Sequence, residues 1–237
     1  MHPKLRPTTS LSLIVVLSLL SPSSGAAVQP QRISSTALFP STVASQREWV
    51  PPGWNIEAQS LGDLNGDKRT DVALTLRQAN SSAEEIGGAE RRRGLLILLR
   101  QHDGRLRRAA FTERLLQCST CGGAFYGVTN APAKVTILKG ILIVMQERGS
   151  RNVVEQTFRF KYDSRTDKFW LIGVDLADRD RATGARVEQS TNFLTGRKIV
   201  TESQFDERLQ KYVKKAATES TVSKERIAIE QVEHEKF

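Results

Sequence analysis

Asp63, Asn65, Asp67 and Asp71 occupy places one, three, five and nine of a turn-forming stretch that opens after Gly62. Oxygen side chains at that spacing let a tight turn surround a hard cation such as Ca²⁺, which takes six to eight oxygen ligands at about 2.3 to 2.6 Å. In this reading the side chains of Asp63, Asn65, Asp67 and Asp71 and the backbone carbonyl of Arg69 are the ligands, and waters complete the shell. The competing reading is an Asp/Asn/Gly turn closed by its own side-chain to backbone hydrogen bonds. An EF-hand is excluded, because its twelfth place needs a bidentate Glu and here holds Leu74, inside a strand-like alternation at residues 72–77. A dockerin fails on the same acidic twelfth place.

The second chemical feature is Cys118-Ser119-Thr120-Cys121-Gly122-Gly123, which holds both cysteines of the chain. In an exported chain the pair reads as a short disulfide, which shapes a loop more than it stabilises the fold because the closed ring is small. Thiol-disulfide catalysis is the alternative, but that chemistry places CxxC at a helix N-terminus in a βαβ setting. Here two glycines follow and the neighbours read as strands. Zinc would need a further Cys or His pair, whereas His2, His102 and His234 are scattered. No Gly-x-Ser-x-Gly elbow, HExxH helix or phosphate loop occurs, and no two carboxylates single themselves out as a glycosidase pair.

These residues need elements to position them. Residues 1–27 read as a secretory signal, with Lys4 and Arg6 before an apolar run at 11–20 and a small-residue cleavage region at 24–27. That run is too short to span a bilayer core of about 30 Å, so the expected product is not membrane-spanning and is periplasmic or secreted. Residues 28–48, rich in Ser, Thr, Ala, Gln and Pro, read as a flexible leader. A β-rich domain is expected over 49–200, opened by Trp49 and Trp54 as core or edge covers. Strands are expected at 55–60, 72–77, 94–100, 134–138, 141–146, 153–162 and 168–175, in the spacing of an antiparallel meander. Residues 79–93 read as a long exposed loop ending in Arg91, Arg92 and Arg93. Phe158, Phe160 and Tyr162 alternate on one face and read as core.

The fold class expected is therefore all-β, a sandwich or a strongly curved meander, with a charged C-terminal extension over 201–237. Within that extension Phe205, Leu209, Tyr212 and Val213 are spaced for a short amphipathic helix capped by Ser203. The alternation at 226–229 reads equally as a last strand.

Taken in order, several of these segments resemble a known group. They are Trp54 in a Pro-Gly-Trp turn, Gly62-Asp63-Leu64-Asn65-Gly66-Asp67, residues 95–100 with Asp103-Gly104, the CxxCGG loop, Phe158-Arg159-Phe160 and Asn192-Phe193-Leu194-Thr195-Gly196. Over about residues 50–200 the chain is similar to small exported bacterial proteins described as FG-GAP or VCBS repeat-like. It departs from their loop at Lys68, where they carry Gly; a non-glycine residue at positive φ costs roughly 1 to 2 kcal/mol. The resemblance implies an exported β-rich protein with a calcium loop and a short disulfide, and carries over no reaction. With one such loop in place of the four to eight blades of a propeller, a full propeller is excluded.

The formal charge of +9 falls to +7 once Lys4 and Arg6 are removed, leaving 33 basic against 26 acidic residues. That excess suits an anionic envelope polymer or an acidic protein as partner. Nucleic acid is set aside, since no recognition motif and few stacking aromatics are present. Three functions compete on these grounds. The first is a non-enzymatic binding or structural module with a Ca²⁺ loop. The second is a basic inhibitor or envelope factor using Arg91, Arg92 and Arg93, and the third is a CxxC thiol-disulfide enzyme.

Overall fold

The computed structural model describes residues 42–79, 91–126 and 131–237. The signal peptide, the leader up to residue 41 and residues 80–90 of the expected loop lie outside them. Regular structure among the described residues is strand, apart from short 3-10 turns.

Five strands form the first antiparallel sheet: β1 (Thr42–Val43), β2 (Trp54–Gly62), β3 (Asp71–Gln78), β4 (Arg93–Arg100) and β5 (Leu106–Thr112), in the order β1-β5-β4-β3-β2. The second is a seven-stranded meander of β6 (Ala133–Leu138), β7 (Ile141–Gly149), β8 (Asn152–Asp163), β9 (Lys168–Asp180), β10 (Ala185–Asn192), β11 (Arg197–Asp206) and β12 (Lys211–Thr221), each paired with its neighbour in sequence. The fold is all-β, and each of the seven expected strands is present.

Alternation decides which faces meet. Phe158 and Phe160 of β8 point inward with Phe169, Leu142 and Val144, against Ala73, Leu95, Ile97 and Leu99 of the first sheet. The other faces of β3 and β4 are buried as well. Leu74, Leu76, Leu96 and Leu98 form a second apolar cluster with Trp49 and Trp54. Two-sided burial is why every residue of 95–99 is apolar.

Three expectations are corrected. Order begins before residue 49, since Thr42 and Val43 pair with Arg107 and Leu106. A capping box between Ser45 and Glu48 then holds a 3-10 turn that delivers Trp49 into the second cluster. The helix expected from Ser203 is absent: Phe205 and Tyr212 sit opposite one another across the β11–β12 hairpin, their rings 5.4 Å apart. Asp206 accepts the N–H groups of Arg208 and Leu209, so a turn interrupts the helical period. The last strand at 226–229 reduces to one bridge, Trp170 to Ala228, followed by a 3-10 turn at Ile229–Gln231. The boundary drawn at 200/201 falls inside β11, and Ile229 and Val232 are fully buried in the inter-sheet core.

No helix among the described residues is long and apolar enough to cross a membrane.

Candidate functional site

The 63–71 turn joins β2 to β3, and its polar side chains fold back on its own backbone. Asp63 accepts the N–H groups of Gly66 at 2.7 Å and Lys68 at 2.8 Å through its two carboxylate oxygens. Asn65 accepts from the Asp67 N–H at 3.1 Å, and Asp67 accepts from the Arg69 N–H at 2.8 Å. The Arg69 guanidinium pairs with the other Asp67 oxygen at 2.9 Å. Gly66 has φ +82° and Lys68 has φ +66°, so the lysine occupies the left-handed conformation that the resemblance assigns to glycine.

Asp71 behaves differently. It is fully buried, and its oxygens accept the N–H groups of Leu64 and Arg100, both at 2.8 Å. Burial, followed by the nearby charges of Asp67 and Asp63, pushes its carboxyl above the ordinary value, against the lowering effect of those two bonds. Burial pushes Asp67 the same way, but the bonds from Arg69 and Asn65 outweigh it and leave that carboxyl below its usual range.

Asp63, Asn65, Asp67, Arg69 and Asp71 therefore lie in one turn, rich in the oxygen donors a hard cation needs. An oxygen that accepts one N–H keeps a second lone pair, so self-bonding leaves capacity for a ligand. No group of three or more His, Cys, Asp or Glu side chains among the described residues, however, is arranged to hold a metal ion. The donor chemistry fits Ca²⁺; the carboxylates are arranged to satisfy the turn itself.

Cys118 and Cys121 form a disulfide. The loop that carries it is also fastened by the backbone, with Ser119 N–H on the Arg91 carbonyl and Gly149 N–H on the Gly122 carbonyl. The disulfide lines a small cavity of about 190 Å³ with Arg92, Arg148 and His234. Burial, with the Arg148 charge behind it, lowers the pKa of His234. His234 and Arg148 gave no signal in the sequence, being 86 residues apart by number and joined only by the fold.

The arginine cluster is not a free basic patch. Arg93 is buried and holds Glu57 through two bonds of 2.7 Å, with a third to the Ala131 carbonyl, while Arg92 pairs with Glu113 at 3.2 Å. Two of the three arginines proposed to meet an acidic partner are thus already ion-paired within the chain, Arg93 in the interior and Arg92 at the surface. Sequence reasoning also passed over Trp170 and Arg226, which meet across a groove at the tip of the β8–β9 hairpin, the guanidinium 4.6 Å from the ring centroid.

No protein-family model matches the chain, and neither a curated protein nor a solved structure matches it significantly.

Proposed function

We propose that the chain is an exported, non-catalytic β-sandwich binding module in which the 63–71 turn takes Ca²⁺. The observation that carries this reading is the charge of the turn: its three carboxylates, Asp63, Asp67 and Asp71, outnumber its two cations, Lys68 and the ion-paired Arg69, and the buried Asp71 responds to the other two carboxylates. A bound cation would be held by Asp63, Asn65, Asp67, the Arg69 carbonyl and Asp71, and would offset the net negative charge of the turn. The likeness of the turn to FG-GAP and VCBS loops supports the same assignment. The disulfide supports an oxidising, exported setting. The binding role draws on the exposed charge of the chain and on the missing catalytic motifs.

The test is thermal unfolding with Ca²⁺ and then with chelator, alongside an Asp63→Ala, Asp67→Ala double variant. A ligand at 100 times its dissociation constant stabilises the native state by about 2.7 kcal/mol. A rise in midpoint that the double variant loses supports the metal turn. No rise at millimolar Ca²⁺ overturns it and leaves a self-bonded turn.

A further inference from the structure

A groove of about 600 Å³ lies where the β8–β9 hairpin, the β10–β11 turn and the segment after β12 meet. Its floor includes Ile172, Phe193 and Leu194, and Leu194 is 63% exposed although apolar. Four basic side chains, Lys161, Arg165, Lys224 and Arg226, stand around that floor against two acidic ones, Asp163 and Glu225. Arg226 is paired with Asp163 at 2.8 Å, and the Arg165 N–H with the Arg226 guanidinium holds that carboxyl below its usual range. Asp163 is therefore neutralised from within. Lys161, Arg165 and Lys224 make no ion pair among the described residues.

The backbone adds an independent observation. β10 pairs with β9 only from Gly173 onward, and Ile227 with Ala228 fills the gap beside the start of β9. Leu171 N–H donates to the Ile227 carbonyl at 2.9 Å, and Val222 N–H donates to the Gly196 carbonyl at 2.8 Å. Between these two anchors, residues 223–226 are exposed and neither donate nor accept a backbone hydrogen bond among the described residues. Peptide groups left unpaired between two anchors are open to pairing with another chain, as those of an open strand edge are.

We propose that this groove binds an extended acidic peptide, which pairs its backbone with residues 223–226. An extended chain sends alternate side chains to opposite sides. One set would lie on Phe193 and Leu194, and acidic side chains would meet Lys161, Arg165 and Lys224. A polysaccharide fits less well, because the Trp170 ring that would stack on a sugar is flanked by Arg226 at 4.6 Å and Lys168 at 5.8 Å. The proposal rests on the reading of the chain as a binding module and is independent of calcium.

The test is fluorescence anisotropy with labelled alternating decapeptides, Glu-Val, Asp-Leu and Glu-Phe, with Lys-Val as the control. An Arg165→Glu, Lys224→Glu variant is compared with Lys214→Glu, Lys215→Glu on the remote strand β12, both checked for an unchanged unfolding midpoint. Saturable binding of an acidic peptide that falls roughly tenfold or more in the groove variant, about 1.4 kcal/mol, and holds in the β12 variant supports the assignment. Equal losses in both variants overturn the groove and leave a diffusely basic binding module. Tighter binding of a sulfated polysaccharide that displaces the peptide overturns the peptide in favour of a glycan. Binding of neither probe by the wild-type chain at about 1 mM overturns the groove alone, since the binding-module reading is not restricted to these two ligand classes.

Discussion

Asp71 accepts the backbone N–H of Arg100 at 2.8 Å, which joins the 63–71 turn to β4 across 29 residues of sequence. Its second oxygen takes the Leu64 N–H, so one buried carboxylate fixes both ends of the turn. Asp71→Ala leaves the buried Leu64 N–H and the part-buried Arg100 N–H unsatisfied, at a cost of about 1 to 3 kcal/mol for a fully buried donor. The expected loss of stability is about 3 kcal/mol in denaturant unfolding, well above that of Asp63→Ala, whose partners reach water. Equal losses would mean that Asp71 is no more structural than its neighbours.

Lys68 stands at φ +66° without a glycine's freedom. Lys68→Gly removes a strain of roughly 1 to 2 kcal/mol, part of which is offset by the greater flexibility of glycine in the unfolded chain. A net gain of about 1 kcal/mol is expected in chelator, and Ca²⁺ affinity should rise as a positive charge leaves the turn. A variant less stable than wild type would show that the lysine stem contributes packing or that the unfolded-state term wins.

The pH dependence of the turn has a definite sign. The folded Asp71 carboxyl is raised above its ordinary value of 3.8, so its stabilising contribution is fully present below that value and is lost as pH rises through the raised one. Asp67 is lowered and acts oppositely, its contribution being lost as pH falls below 3.8. A bound cation favours the charged form of Asp71. Carboxyl ¹³C titration should place the Asp71 midpoint above 3.8 in chelator and move it down with Ca²⁺, and the thermal shift caused by Ca²⁺ should be smaller near pH 4 than at pH 7. An Asp71 midpoint indifferent to Ca²⁺ would restrict that residue to its scaffold role.

Glu57 and Arg93 lie on β2 and β4 and bridge over the intervening β3 through a two-bond ion pair, with Arg93 only 4% exposed. Removing one partner of a buried pair strands the other, at about 3 to 5 kcal/mol. Glu57→Gln should therefore cost more than an exposed pair such as Arg197 with Glu219. Replacing Glu57 and Arg93 together by apolar residues should cost less than the two single changes summed. Additive losses in that double-mutant cycle would show that the pair acts as two unrelated contacts.

What the sequence made legible follows from which contacts are local. Alternation marked residues 72–77 and Phe158 with Phe160, and the meander spacing marked β6 to β9. The oxygen spacing marked the turn. The β11–β12 hairpin was hidden because Phe205 and Tyr212, seven residues apart, meet a helical period as readily as a cross-strand pair. The partners of Asp71, Arg93 and Arg226 stand 29, 36 and 63 residues away, and only the folded sheet brings them together.

Ile229 and Val232 decide whether the last segment is an extension or part of the core. Both are fully buried among Phe158, Phe169 and Leu171. The segment is further tied by His234 N–H to the Arg114 carbonyl, and by the Gln156 side-chain amide to the carbonyls of His234 and Phe237. Truncating a buried Ile to Ala costs about 2 to 5 kcal/mol, from lost transfer energy and the cavity left behind. Ile229→Ala should lower the urea midpoint by a corresponding amount while leaving the Ca²⁺-dependent shift intact, since the turn lies at the β2–β3 end of the other sheet. A loosely attached tail would give no change in midpoint. Loss of the Ca²⁺ shift along with stability would instead reveal coupling between the inter-sheet core and the turn, which Leu64, packed in the same core and bonded to Asp71, is placed to transmit.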